Sequence, residues 1–208
     1  MSVSSLIFKK LLRLKRGTPF SIESFYSLGT TTAVQKAMSR LTQKGEIVRV
    51  DKGIYVRPKH IESIPFVKVT AKAEDVAKVW AKRRGYELVP QGLESAYRLG
   101  LQTQAPLKVI YWSSGPSRIF RVENQVVQIK HTANSKLQWP NKPEGELLRG
   151  LMFVSVKHTT TQQLEAALRR LNISREEKLI VVDKLIKCRS LSLWKHKLIK
   201  LKQYLQQV

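Results

Sequence analysis

The chain has 208 residues, 42% of them hydrophobic, which is enough for one or two modest cores. Thirty-eight Lys and Arg against 15 Asp and Glu give a formal charge of +23. That imbalance costs self-repulsion unless a polyanion offsets it, and nucleic acid is the commonest such partner. A single cysteine excludes an intramolecular disulfide framework, and no run approaches the roughly 20 apolar residues of a membrane span.

The positive charge is spread along the chain: residues 1–60 carry 12 basic and 3 acidic side chains, 61–150 carry 14 and 8, and 151–208 carry 12 and 4. This differs from a neutral domain with a basic tail. Lone Cys188 suits a reducing compartment and reads as a small core residue. The opening MSVSSLIFKKLLRLKRG places its charges after its apolar residues, the reverse of a signal peptide. The expectation is a cytoplasmic protein without a membrane partner.

Residues 4–16 predict a first helix ending at Gly17, with Leu6, Ile7, Leu11 and Leu14 on its core face. Thr18-Pro19-Phe20 is extended, because a residue before proline is pushed out of the helical region. Ser21 caps a second short helix carrying Ile22, Phe25, Tyr26 and Leu28, closed by Gly29. Thr30–Thr32 caps a third, which ends at Lys44-Gly45. Its apolar stripe is Val34, Ala37, Met38 and Leu41. Residues 46–50 and 54–57 are strands around an Asp51-Lys52-Gly53 turn, and Pro58 ends the unit. Helix, short strand, helix, turn, helix and two-stranded wing is the order of a winged helix-turn-helix.

Residues 61–68 read as a linker, which divides the chain into a DNA-binding domain, 1–60, and an α+β domain, 61–208, helical from about 146. In the second, 70–84 is a helix facing inward with Ala73, Val76, Ala77 and Trp80, stopped by Gly85. Residues 86–89 form a strand, and 93–99 a short helix closed by Gly100. Strands follow at 108–112, 117–122 and 125–131, with turns at Gly115-Pro116 and Glu123-Asn124. Residues 134–145 are loop. Ser174 with Glu177 fits a capping box, and Leu191, Trp194, Leu198, Leu201 and Leu205 carry a helical stripe to the C-terminus. The fold class is thus α+β: an N-terminal winged helix-turn-helix, a mixed α/β domain and C-terminal helices.

The outward face of the third helix points to duplex DNA. A major-groove helix needs donors and acceptors for base edges and cations for the flanking phosphates. Gln35, Ser39 and Gln43 supply the first; Lys36, Arg40 and Lys44 supply the second, and Thr32 shares the same outward face. Arg40 has the fork that reads guanine in bidentate fashion. No acid stands between residues 30 and 45. Lys52 at the wing tip, with Arg49 and Arg57, is placed for a neighbouring phosphate row or the minor groove. Lys9, Lys10, Lys15 and Arg16 would set register on phosphates. An ordinary solvated helix and a hairpin kept soluble by charge are the plain alternatives.

Two segments carry a resemblance. Val34–Pro58, VQKAMSRLTQKGEIVRVDKGIYVRP, and the P-x-G-x-x-x-A-x-x-L-G-L-x-x-Q-x-P pattern of Pro90–Pro106, followed by strands to 131, resemble AbiEi-type antitoxins of type IV toxin–antitoxin systems. The likeness covers about residues 5–135. It implies an N-terminal domain that represses its own operon at an inverted-repeat operator. It also implies a C-terminal domain that counters a nucleotidyltransferase toxin without need of direct contact. A free-standing DNA- or RNA-binding protein is the alternative.

Enzyme signals are weak. His60, His131, His158 and His196 lack metal-ligand spacing, no phosphate-binding glycine loop is present, and neither a metal nor another cofactor is expected. Glu176-Glu177-Lys178 has the E-x-K form of a nuclease site. It falls in the first turn of a predicted helix, where acids favour the helix dipole. Ser113-Ser114-Gly115 is a turn.

Overall fold

A computed structural model describes residues 2–61 and 64–207. In chain order the elements are α1 (Val3–Leu12), β1 (Pro19–Ser21), a 3-10 helix (Ile22–Leu28), α2 (Thr31–Gln43), β2 (Val48–Asp51), β3 (Ile54–Val56), β4 (Lys59–Ile61), β5 (Ile64–Val69) and α3 (Ala73–Arg84). Then come β6 (Leu88–Pro90), α4 (Gly92–Arg98), β7 (Val109–Ser113), β8 (Arg118–Val122), β9 (Gln125–His131) and α5 (Asn134–Leu137). The rest is helical: α6 (Pro143–Phe153), α7 (Thr161–Arg170), α8 (Arg175–Ile186), a second 3-10 helix (Arg189–Trp194) and α9 (Lys195–Gln207). The class is α+β with C-terminal helices.

The chain forms two compact units. The first comprises residues 1–86 and 118–127; the second comprises 87–117 and 128–208. The expected boundary at residue 60 is therefore not where the units divide. The reason lies in α3. Its apolar face, Ala73, Val76, Ala77 and Trp80, is buried, and the helix packs on β1, β3 and β8. The Trp80 ring meets Phe120 of β8 edge-on at 5.5 Å and Tyr86 at 5.3 Å. The stretch expected as a linker is paired backbone, β4 against β5 antiparallel; residues 62 and 63 of it lie outside the described residues.

In the first unit, β1 and β2 both pair antiparallel with β3, giving the order β1-β3-β2. A bulge between Arg49 and Asp51 and a left-handed Gly53 (φ 73°) turn the β2–β3 hairpin. The core beneath it holds Ile7, Leu11, Phe20, Ile22, Phe25, Val34, Ala37, Met38, Ile47 and Tyr55. Besides β4 and β5, α1 departs from the sequence reading, while the short helix expected after Ser21 is present in 3-10 form. The second helix is 3-10 throughout, since Ile22, Phe25 and Leu28 recur every third residue and three residues per turn stack them on one side. And α1 stops at Leu12 rather than 16, where a distant arginine, described below, takes over its carbonyls.

In the second unit, β6 pairs antiparallel with β7. The helices bury Leu147, Leu148, Leu151, Leu164, Leu168, Val182, Leu185, Leu191, Trp194, Leu198 and Leu201 in one core, with Cys188 among them. The distinctive PQGLESAYRLG stretch is a close helix contact. Gly92 and Ala96 of α4 face α6 so closely that a Cβ on Gly92 would meet the Arg149 carbonyl oxygen at 2.9 Å. A Cβ on Gly150 would meet the Ala96 Cα at 3.5 Å. Ser174 and Glu177 form the expected capping box on α8.

Candidate nucleic-acid interface

The helix α2 is built for one dry and one wet face. Thr30 caps it, its hydroxyl accepting from the Ala33 N–H at 3.3 Å. Val34, Ala37 and Met38 are buried, and Leu41 packs partly against them. Burying a side chain such as Val34 or Met38 is worth about 1.5–3 kcal/mol each, so the stripe fixes which face turns outward. Thr32, Gln35, Lys36, Ser39, Arg40, Gln43 and Lys44 are all exposed. Among the described residues none of these seven side chains is held in an ion pair or a hydrogen bond to protein. Their donors and cations therefore face solvent without an internal partner.

The hairpin splits the other candidates. Arg49 and Lys52 are exposed. Arg57 is not: it is buried, and its Nη1 donates to the carbonyls of Leu11 (2.9 Å), Leu12 (3.1 Å) and Leu14 (3.1 Å). It caps the C-terminus of α1, where helix carbonyls lack intrahelical donors, and it is withdrawn from the phosphate-contact set. Desolvation, with the nearby Arg16 cation, holds its pKa below the ordinary arginine value, against a small opposing pull from Glu46.

Sequence reasoning missed the residues that hold the hairpin. Arg83 of α3 donates from Nη1 to the Lys52 carbonyl at 2.8 Å and from Nε to Glu23 at 2.7 Å. The Ile22 N–H donates to the Gly53 carbonyl at 2.9 Å. Arg118 of β8 pairs with Asp51 at 2.6 Å, which neutralises the hairpin turn's acid. These partners stand 31 to 67 residues away in sequence, so no local pattern announces them. Of the cations on or after α1, Lys10 donates to the Ser24 carbonyl beside the Phe25 ring, and Arg16 donates to the Pro58 carbonyl at 3.1 Å. Lys15 is exposed.

Elsewhere, Glu177 is committed to the α8 cap, and Glu176 accepts from the Ser174 hydroxyl at 3.1 Å. Among the described residues no group of three or more His, Cys, Asp or Glu is placed to hold a metal, and no helix is long and apolar enough to cross a membrane.

Residues 6–177 match the family of unknown function DUF6088. The chain belongs to that family. The DUF6088 match takes in α2, the hairpin and the α4–α6 contact, and so the whole of the surface described above. No curated protein matches the chain.

Proposed function

We propose that this DUF6088 member is a sequence-specific DNA-binding transcription regulator whose first unit is a winged helix-turn-helix. The single observation that carries the reading is the outward face of α2: exposed, acid-free, and without internal partners. The order α1, β1, 3-10 helix, α2, β2, β3, with strands arranged β1-β3-β2, supports it. In this reading α2 lies in the major groove, which admits one helix. Gln35, Ser39, Arg40 and Gln43 meet base edges; Thr32, Lys36 and Lys44 meet the groove walls. Arg49 and Lys52 reach the adjoining phosphate row from a hairpin that Arg83 and Arg118 hold in place.

The likeness of Val34–Pro58 and Pro90–Pro106 to AbiEi-type antitoxins extends the proposal. The protein represses its own operon at an inverted repeat and counters a nucleotidyltransferase toxin of a type IV pair. Footprinting on the chain's own promoter tests the first part. A protected inverted repeat is the expected result, and equal feeble retention of promoter and random duplex overturns it. Co-expression with an adjacent nucleotidyltransferase tests the second: growth rescue supports it, and no rescue with DNA binding intact reduces the protein to a free-standing regulator.

A further inference from the structure

The second unit holds a feature that DNA reading leaves unused. A recess of about 340 Å³ opens between the start of α6 and the end of α4, lined by Arg98, Asn141, Lys142, Glu146, Arg149 and Leu171 among others. Three cations face one carboxylate there. Arg149 is the unusual member. It is 1% exposed, and among the described residues its buried Nε has no hydrogen-bond partner. Its Nη1 donates to the Gln138 carbonyl at 3.4 Å, the long limit of a hydrogen bond. A buried guanidinium without a carboxylate salt bridge is costly, and its retention calls for a compensating anion. Burial lowers its pKa to about 10, with Glu146 pulling the other way; at neutral pH it is still a cation. Its position is fixed from behind, because Gly92 lets α4 close onto the Arg149 backbone.

We propose that this recess is a binding site for a phosphate group carried on a small organic molecule. Arg149 forms its floor and meets the phosphate oxygens, as a planar fork of donors does well. Lys142 at the N-cap of α6 and Arg98, steadied by Glu94 at 2.7 Å, close the rim. The positive end of the α6 dipole adds to the field. Glu146 faces the same space and suits a hydroxyl of the carrier, while Leu171 offers an apolar wall. The volume falls within the range of small-ligand pockets. No α2 residue lines the recess, and the proposal does not rest on DNA binding.

Isothermal titration of the full chain with adenosine 5′-monophosphate, inorganic phosphate and a 5′-phosphorylated trinucleotide tests it. Saturable binding is expected, with Lys142→Ala and Arg98→Ala each weakening it about tenfold. Lys200→Ala, an exposed cation of the same unit that does not line the recess, is expected to leave it unchanged. Glu146→Gln is expected to tighten it about threefold by removing a like charge. Arg149→Met should abolish binding. Should that variant not fold, the rim variants and Glu146→Gln still decide. The monophosphate binding at least as well as the trinucleotide supports the proposal; the trinucleotide alone would give the site to a nucleic-acid end and overturn it. No saturable binding, or binding weakened equally by Lys200→Ala, overturns it.

Discussion

Replacing Arg57 with methionine separates a structural arginine from a DNA contact. Arg57 spends one nitrogen, Nη1, on three carbonyls at the end of α1. That nitrogen carries two protons, so the geometry amounts to about two full hydrogen bonds from a charged donor, at about 1.5–3 kcal/mol each. Methionine keeps much of the apolar stem and spares the cost of burying a cation, which reduces the loss. The net expected destabilisation of the first unit is about 2–4 kcal/mol. At a urea slope of about 2 kcal/mol/M the midpoint should fall by about 1–2 M. Urea unfolding followed by circular dichroism measures it, and amide exchange in α1 should quicken by the matching factor. The affinity of the folded variant for duplex DNA, measured in the cold, should stay within twofold of the parent. An unchanged midpoint with a tenfold weaker duplex complex would refute the reasoning and return Arg57 to the DNA-contacting surface.

Other outcomes follow from the same geometry. Lys52→Ala should weaken DNA binding with little change in sequence preference, while Arg40→Ala should relax preference at one base pair if Arg40 reads guanine; selection from a randomised duplex pool distinguishes the two. Gly92→Val should destabilise the second unit by about 1–3 kcal/mol, because its Cβ meets the Arg149 carbonyl oxygen at 2.9 Å, and a thermal melt reads the loss. Lys184 pairs with Glu144, a buried carboxylate. Desolvation alone would raise its pKa, but the Lys184 bond and its own backbone N–H bring it below the ordinary 4.5. A depressed carboxylate stabilises above its unfolded pKa and loses that contribution as pH falls through the folded one. Lys184→Met should therefore cost about 1–2 kcal/mol at pH 7, given a half-exposed lysine, and the difference from the parent should shrink as the pH falls below the ordinary carboxylate value of 4.5.

The elements that sequence reading located well are those set by short-range physics. Thr30 and Ser174 announce their helix starts by hydroxyl capping, Gly53 and Gly85 adopt the left-handed backbone that their turns require, and the stripe Val34, Ala37, Met38 names the buried face of α2. The 3-10 geometry of Ile22–Leu28 was equally legible in its period of three, yet a capping serine and a closing glycine fit an α-helix as well. What the sequence concealed depends on side chains that reach across the fold. Arg57 looks like any other hairpin cation until α1 ends beside it. Arg83 and Arg118 belong to segments that local patterns assign to a separate domain, though Trp80 and Phe120 bind those segments into the first unit. Arg149 sits at a core position of α6, a place where periodicity expects leucine.

The central claim concerns where α2 lies when DNA is bound. Fluorescence anisotropy of a promoter duplex, titrated with the parent and with Lys36→Ala/Lys44→Ala between 50 and 200 mM salt, tests it most directly. For contacts to about 6–10 phosphates, affinity of the parent should fall roughly 10³- to 10⁵-fold over that range, with the double variant's log–log slope shallower by about 2. A double variant that keeps the parent's affinity and slope would place the duplex on another face of the molecule.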